Sequence, residues 1–217
     1  MYGFILGTGY ITLLLIAEKI VKLKKITKVK KNFWTNSIII YLLAIIGGRL
    51  YHVLDNYTFY SSNPIKIIYF WNGGFGIFGA FIFLATYLII YCKIYKINFL
   101  IFSDLILLLA PYLIIMGRIA NLINNEIKIA AFEIIPISAL QMYFIFKFKN
   151  IKFGEGKVSS LFLLVYGFTR IIIEPLREAQ NSFYIQKFNL TYFFAVFIIS
   201  IGFGIILKAQ NIKNFFK

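Results

Sequence analysis

The stretch FLIFSDLILLLAPYLIIMGRIA (residues 99–120) holds two charges, Asp104 and Arg118, among long apolar side chains. A helix crossing a bilayer needs about 20 mostly apolar residues, so this run is long enough to span. Six further runs of similar character lie near residues 2–20, 36–54, 75–92, 132–148, 159–176 and 188–207. The fifth in chain order, 132–148, is the least regular because Pro136 and Gln141 interrupt it. The expectation is an all-α polytopic membrane protein with seven transmembrane helices, or six if that run does not cross. The first run has no basic region ahead of it and no small-residue cleavage site, so it reads as a retained anchor.

Composition agrees. Of the 217 residues, 60% are apolar and 14% charged, and mean hydropathy is +0.81. That excludes a disordered chain and argues against a soluble enzyme. The net charge of +15 could suggest nucleic acid, but a basic stripe needs a water-exposed face. Topology explains it better. Lys19, Lys22, Lys24, Lys25, Lys28, Lys30 and Lys31 fall in the first loop, and Lys93 and Lys96 in the third. Lys147, Lys149, Lys152 and Lys157 fall in the fifth, and Lys208, Lys213 and Lys217 in the tail. The alternate loops hold only Lys66, Lys128, Arg177 and Lys187. Short cytoplasmic loops are rich in Lys and Arg, so the N-terminus is expected outside and the C-terminus in the cytoplasm. The lysines would also face anionic inner-leaflet lipid, and no nucleic-acid partner is needed. No linker or second domain interrupts the chain, giving one integral-membrane domain over 1–217. One cysteine, Cys92, and one histidine, His52, leave no cysteine-rich metal site.

Three arginines remain inside or at the ends of apolar runs: Arg49, Arg118 and Arg170. Each costs roughly 2.5–3.5 kcal/mol at a helix centre, so each needs a partner or a polar cavity. Pairing with a Glu to tie two helices together is the plain explanation. The expected topology places all three in the outer halves of their helices, which favours a site on that face. Tyr166, Arg170, Glu174 and Arg177 follow at spacings of four, four and three, stacking on one helical face, and Arg118 and Asn121 stand three apart. Guanidinium groups in a partly dry cleft bind phosphate through fork-shaped hydrogen bonds. Such a set at headgroup depth suits a phospholipid.

The glycines Gly73, Gly74, Gly76 and Gly79 have two readings of equal weight, close helix approach or a backbone lining for lipid. Asp104 is either a proton relay or a paired residue. His52 is as easily a surface residue as a base, and Cys92 lies far from the charged cluster.

Gly117-Arg118-Ile119-Ala120-Asn121-Leu122-Ile123-Asn124-Asn125-Glu126 resembles the signature of the prolipoprotein diacylglyceryl transferases. Gly47-Gly48-Arg49-Leu50-Tyr51-His52-Val53-Leu54 is similar to the family's second-helix motif, and Trp71-Asn72-Gly73-Gly74 to its Trp-x-Gly-Gly stretch. Tyr166-Gly167-Phe168-Thr169-Arg170, with Glu174 and Arg177, resembles its Tyr-Gly-x-x-Arg helix, and Tyr2-Gly3 its opening pair. The matches run in family order from residue 2 to residue 177. Two departures stand out. Many members carry His-Gly-Gly, with a histidine proposed as base, where this chain has Phe78-Gly79-Ala80. The family's His-Pro-Thr-Gln-Leu-Tyr-Glu segment is reduced to Ser138-Ala139-Leu140-Gln141-Met142-Tyr143-Phe144.

The resemblance implies a multi-pass enzyme of the bacterial inner membrane with its active site toward the outer face. It implies transfer of the diacylglyceryl group of phosphatidylglycerol to the lipobox cysteine of a preprolipoprotein signal peptide. A thioether forms and glycerol phosphate leaves, with no metal or organic cofactor required. Arg118 and Asn121 would grip the headgroup, and Arg170 would stabilise charge at the reacting centre. Glu174 and Glu126 would orient these arginines or relay a proton, while Arg49, Tyr2 and Tyr166 would line the cavity. The alternatives are a catalytically silent homologue that binds lipid or signal peptides, and a transporter or channel for a small anion.

Overall fold

The computed structural model describes residues 2–26, 29, 32–69, 74–123, 128–178, 184–185 and 188–215. Each of the seven apolar runs is helical: α1 (Tyr2–Leu23), α2 (Phe33–Asp55), α3 (Ile77–Ile94), α4 (Phe99–Ile123), α5 (Ile134–Lys147), α6 (Lys157–Glu178) and α7 (Leu190–Phe215). Four stretches are long and apolar enough to cross a membrane: Phe33–Leu54, Phe99–Ile123, Ala131–Asn150 and Lys157–Leu176. The third extends α5 through the flanking 3-10 helices Lys128–Glu133 and Phe148–Asn150. Large apolar side chains point outward from the helices, among them Ile11, Leu42, Phe146, Ile172 and Phe193. Exposure on that scale fits a surface wetted by lipid tails. Hydroxyls inside the helices turn back onto their own backbone: Thr12 donates to Thr8 O, Ser37 to Phe33 O, Thr169 to Val165 O and Ser200 to Val196 O. That satisfies them where water is scarce.

The all-α expectation needs one addition, an antiparallel pairing of β1 (Tyr184–Ile185) with β2 (Phe188–Asn189) between α6 and α7. Tyr, Ile and Phe favour extended backbone.

The chain divides into two compact units, residues 21–99 and residues 1–20 with 100–217. In the first, α2 packs on α3 through glycine. A Cβ at Gly79 would overlap the Gly47 carbonyl, and one at Gly47 would lie 2.5 Å from Gly79 O. Gly76 N donates to Gly48 O at 2.8 Å. Of the two readings of these glycines, close helix approach is therefore what Gly76 and Gly79 provide; Gly73 lies outside the described residues. Gly74, at φ +77°, takes the left-handed backbone that a side chain disfavours, and a Cβ there would meet His52 and Arg49. Tyr87 donates to Asn36 Oδ1 at 2.6 Å across the same helix pair.

In the second unit α6 packs along α7, with Gly167 against Ile199 and Gly202 against Leu164 and Ser160 O. Phe162 and Ile137 are fully buried, and the Tyr166 ring stacks on Phe162 at 5.7 Å. Asp104, also fully buried, reaches from α4 to the start of α6. Its Oδ2 accepts from Gly154 N at 2.9 Å and Gly156 N at 3.0 Å. Its Oδ1 accepts from Ser159 N at 3.0 Å and Ser159 Oγ at 2.7 Å. Amides at a helix N-terminus lack partners within the helix, and a buried carboxylate needs donors, so each satisfies the other. Of its two readings, Asp104 is the paired residue.

Candidate active site

Arg118 lies in the last turns of α4, and Asn121 follows it by less than one turn. Arg170 and Glu174 stand one turn apart on α6. Between these helices comes Glu133, the last residue of the 3-10 helix that leads into α5. Glu133 is fully buried, and both of its oxygens are engaged by guanidinium groups. Its Oε2 accepts from Arg118 Nε at 2.8 Å and lies 2.7 Å from Arg118 Nη2. Its Oε1 accepts from Arg170 Nη1 at 2.6 Å. Arg170 Nη2 in turn donates to Glu174 Oε2 at 2.6 Å. With the Asn121 amide turned to satisfy both of its neighbours, its oxygen accepts from Arg118 Nη1 at 3.3 Å and its nitrogen donates to Gly117 O at 3.2 Å.

The result is a connected row, Asn121–Arg118–Glu133–Arg170–Glu174, drawn from three segments of one unit. Two positive and two negative groups cancel, which is how such charges become tolerable away from water. An arginine left there without its carboxylate would carry a desolvation penalty of several kcal/mol, on general grounds. Chemically the row offers two guanidinium forks brought to one point, and phosphate oxygens match that geometry as carboxylate oxygens do.

Of the residues expected at a site, Arg118, Asn121, Arg170 and Glu174 come together here. Tyr166 is buried one turn before Arg170 on α6. No motif or spacing in the sequence marks Glu133. Its one signal is that it is an acid inside an apolar run, in a chain with only 8 Asp and Glu. Glu126 lies outside the described residues, as do Trp71, Asn72 and Gly73. Tyr2 opens α1, but its side chain is outside what is described; the same holds for the side chains of Phe78 and Arg177.

Arg49 belongs to the other unit and keeps different company. Its Nε donates to Ile67 O at 3.0 Å, Nη2 to Lys66 O at 2.6 Å and to Tyr69 O at 3.3 Å, and Nη1 to Gly74 O at 3.2 Å. The guanidinium also lies over the Tyr60 ring, 5.3 Å from its centroid. His52 meets the same ring edge-on, and Asn56 Nδ2 lies 3.4 Å from His52 Nδ1. No group of three or more His, Cys, Asp or Glu residues suited to a metal ion occurs among the described residues.

The sequence model of the family described as prolipoprotein diacylglyceryl transferase matches residues 1–128. The phosphatidylglycerol--prolipoprotein diacylglyceryl transferase of Desulfotalea psychrophila is 31% identical over 206 residues, covering 82% of this chain and 76% of its own. That of Rickettsia bellii is 32% identical over 195 residues, covering 76% and 74%. That of Rickettsia felis is 30% identical over 239 residues, covering 96% and 89%, and so takes in α6 as well as α4. With more than half of the chain matched by the family's model and these relatives covering most of it, the chain belongs to the prolipoprotein diacylglyceryl transferase family.

Proposed function

We propose that this chain transfers the diacylglyceryl group of phosphatidylglycerol to the lipobox cysteine thiol of preprolipoproteins, the first step of lipoprotein maturation. The observation that carries this reading is the pair of guanidinium groups, Arg118 and Arg170, meeting at one buried carboxylate. In the reaction the thiolate sulfur bonds to the glyceryl carbon that carries the phosphate. The carbon–oxygen bond to phosphate breaks, and glycerol phosphate leaves with the electron pair. The thiol proton ends in solvent or on the departing phosphate. Negative charge therefore grows on the phosphate as the bond breaks, and cations fixed beside it stabilise that growth more than they stabilise the bound lipid.

Arg118, steadied by Asn121, grips the headgroup phosphate, and Arg170 stabilises the reacting centre. Glu174 orients Arg170, Glu126 relays a proton or orients Arg118, and Tyr2 and Tyr166 line the cavity. The cysteine thiol, with a free pKa of about 8.5, is already a few per cent ionised at neutral pH, and a nearby arginine raises that fraction. No metal or organic cofactor enters. Asp104 speaks against an ion or proton path, since four backbone and hydroxyl donors already occupy it.

All seven helices cross the membrane as one domain, the N-terminus outside and the C-terminus in the cytoplasm, with the site toward the outer face of a bacterial inner membrane. A reporter fused after Lys217 is expected inside and one within residues 56–70 outside; both on one side would overturn that topology. The function itself is tested with purified protein, phosphatidylglycerol and a lipobox peptide. A mass increase of one diacylglyceryl group on the peptide thiol is expected. An unmodified peptide in the presence of bound lipid would favour a silent lipid-binding homologue.

A further inference from the structure

We infer that Glu133 is a positioning residue for this transfer: it sets the distance between Arg118 and Arg170 by giving each guanidinium one oxygen of the same carboxylate. The inference rests on the function proposed above. Glu133 lies outside every motif that marks the chain as a family member, and beyond residues 1–128 that the family's model matches. Its partners stand 15 and 37 residues away, on α4 and α6, so neither contact is a local consequence of helix geometry. Two guanidinium groups repel each other when brought together, and the repulsion grows as water is removed. One anion between them reverses that balance. The outer ends of the row are fixed too, Arg118 by Asn121 and Arg170 by Glu174. Glu133 is thus the middle tie of a row anchored at both ends, and both cations are held within reach of a single phosphate group before lipid arrives. Preorganised cations of this kind act without rearranging during the reaction.

A simple helix tie would use the same contacts, so the test must separate positioning from folding. Glu133→Gln keeps the shape and removes the charge. Glu133→Asp keeps the charge and draws it back by one methylene. Initial transfer rates are measured against phosphatidylglycerol concentration for both variants and the parent, per molecule of folded protein. The expectation for Glu133→Gln is a kcat lower on the order of 100-fold, the size expected when reacting groups are misplaced by about 1 Å. Its KM for phosphatidylglycerol should not rise, because the site loses a negative charge. Glu133→Asp should recover part of the lost kcat. In parallel, phenylglyoxal labels arginines in the lipid-free proteins, with Arg118 and Arg170 followed by peptide mass. Labelling of both should quicken several-fold in Glu133→Gln and, to a lesser degree, in Glu133→Asp.

Near-parental kcat per folded molecule in Glu133→Gln, or unchanged labelling of the two arginines, would overturn the inference. If Glu133→Gln does not fold, the Glu133→Asp rate and labelling decide the matter by the same criteria. A parent protein that leaves the lipobox peptide unmodified would overturn the transfer itself, and the labelling would still show whether Glu133 holds the arginines.

Discussion

Arg49 and Arg170 are the same residue type, equally buried at 8% exposure, and held in opposite ways. Arg49 donates to four backbone carbonyls, those of Lys66, Ile67, Tyr69 and Gly74. Arg170 donates to two carboxylates, those of Glu133 and Glu174. Carbonyls of a folded segment cannot leave without unfolding that segment, so Arg49 acts as a staple for residues 66–69 and for Gly74. Carboxylates instead hold Arg170 through charge on two side chains, one from the segment ahead of α5 and one from α6 itself. Burial alone therefore does not tell the two arginines apart; the nature of their acceptors does.

The largest effect should follow Arg170→Lys. An ammonium is a point charge and cannot reach Glu133 and Glu174 in the planar manner of a guanidinium. Transfer per folded molecule should fall on the order of 100-fold or more, the size expected when one donor to charge developing in the transition state is lost. A rate near that of the parent would mean that Arg170 supplies charge alone, and the contrast with Arg49 would fail.

Arg49→Lys should show the reverse profile. Several carbonyls lose their donor, at about 1.5–3 kcal/mol for each bond to a charged group. With two such bonds lost net, and roughly 2–4 °C per kcal/mol in a chain of this size, the melting temperature falls by roughly 6–24 °C, while the folded fraction retains most of its transfer rate. A normal melt with a collapsed rate would move Arg49 into the reaction itself.

The smallest effect is expected from His52→Gln. The imidazole packs edge-on against Tyr60, the ring over which Arg49 lies, beside Gly74 and Asn56. Transfer measured from pH 6.5 to 9.5, a range spanning the free thiol's pKa of about 8.5, should track the parent's profile. Loss of the neutral-pH limb in this variant alone would make His52 the base.

Some of this was legible from the amino acids and some was not. Helix positions were, because an apolar run near 20 residues carries its own signal. The Arg170–Glu174 contact and the Arg118–Asn121 neighbourhood were also legible, since spacings of four and three place side chains together on a helix. In the sequence, Pro136 and Gln141 are what interrupts the fifth run. In the structure the change of geometry comes just ahead of them, where the 3-10 helix Lys128–Glu133 gives way to α5. Glu133 is not legible in the sequence because its two partners are fixed by how α4 and α6 meet the start of α5, and no spacing encodes that. The partners of Arg49 were hidden for another reason: they are backbone carbonyls, which every residue has. For Gly76 and Gly79, sequence offered two explanations, and only the α2–α3 approach chose between them.

The latch at Asp104 also has a consequence for how the protein is made. The first of its donors along the chain, Gly154 N, lies 50 residues downstream. At synthesis rates of about 5–20 residues per second, that interval is roughly 3–10 s. During it α4 exists with a carboxylate that has none of its eventual donors, and translation delivers them only with the start of α6. The donors that satisfy Asp104 are thus made well after α4 itself, with the loop that leads into α6.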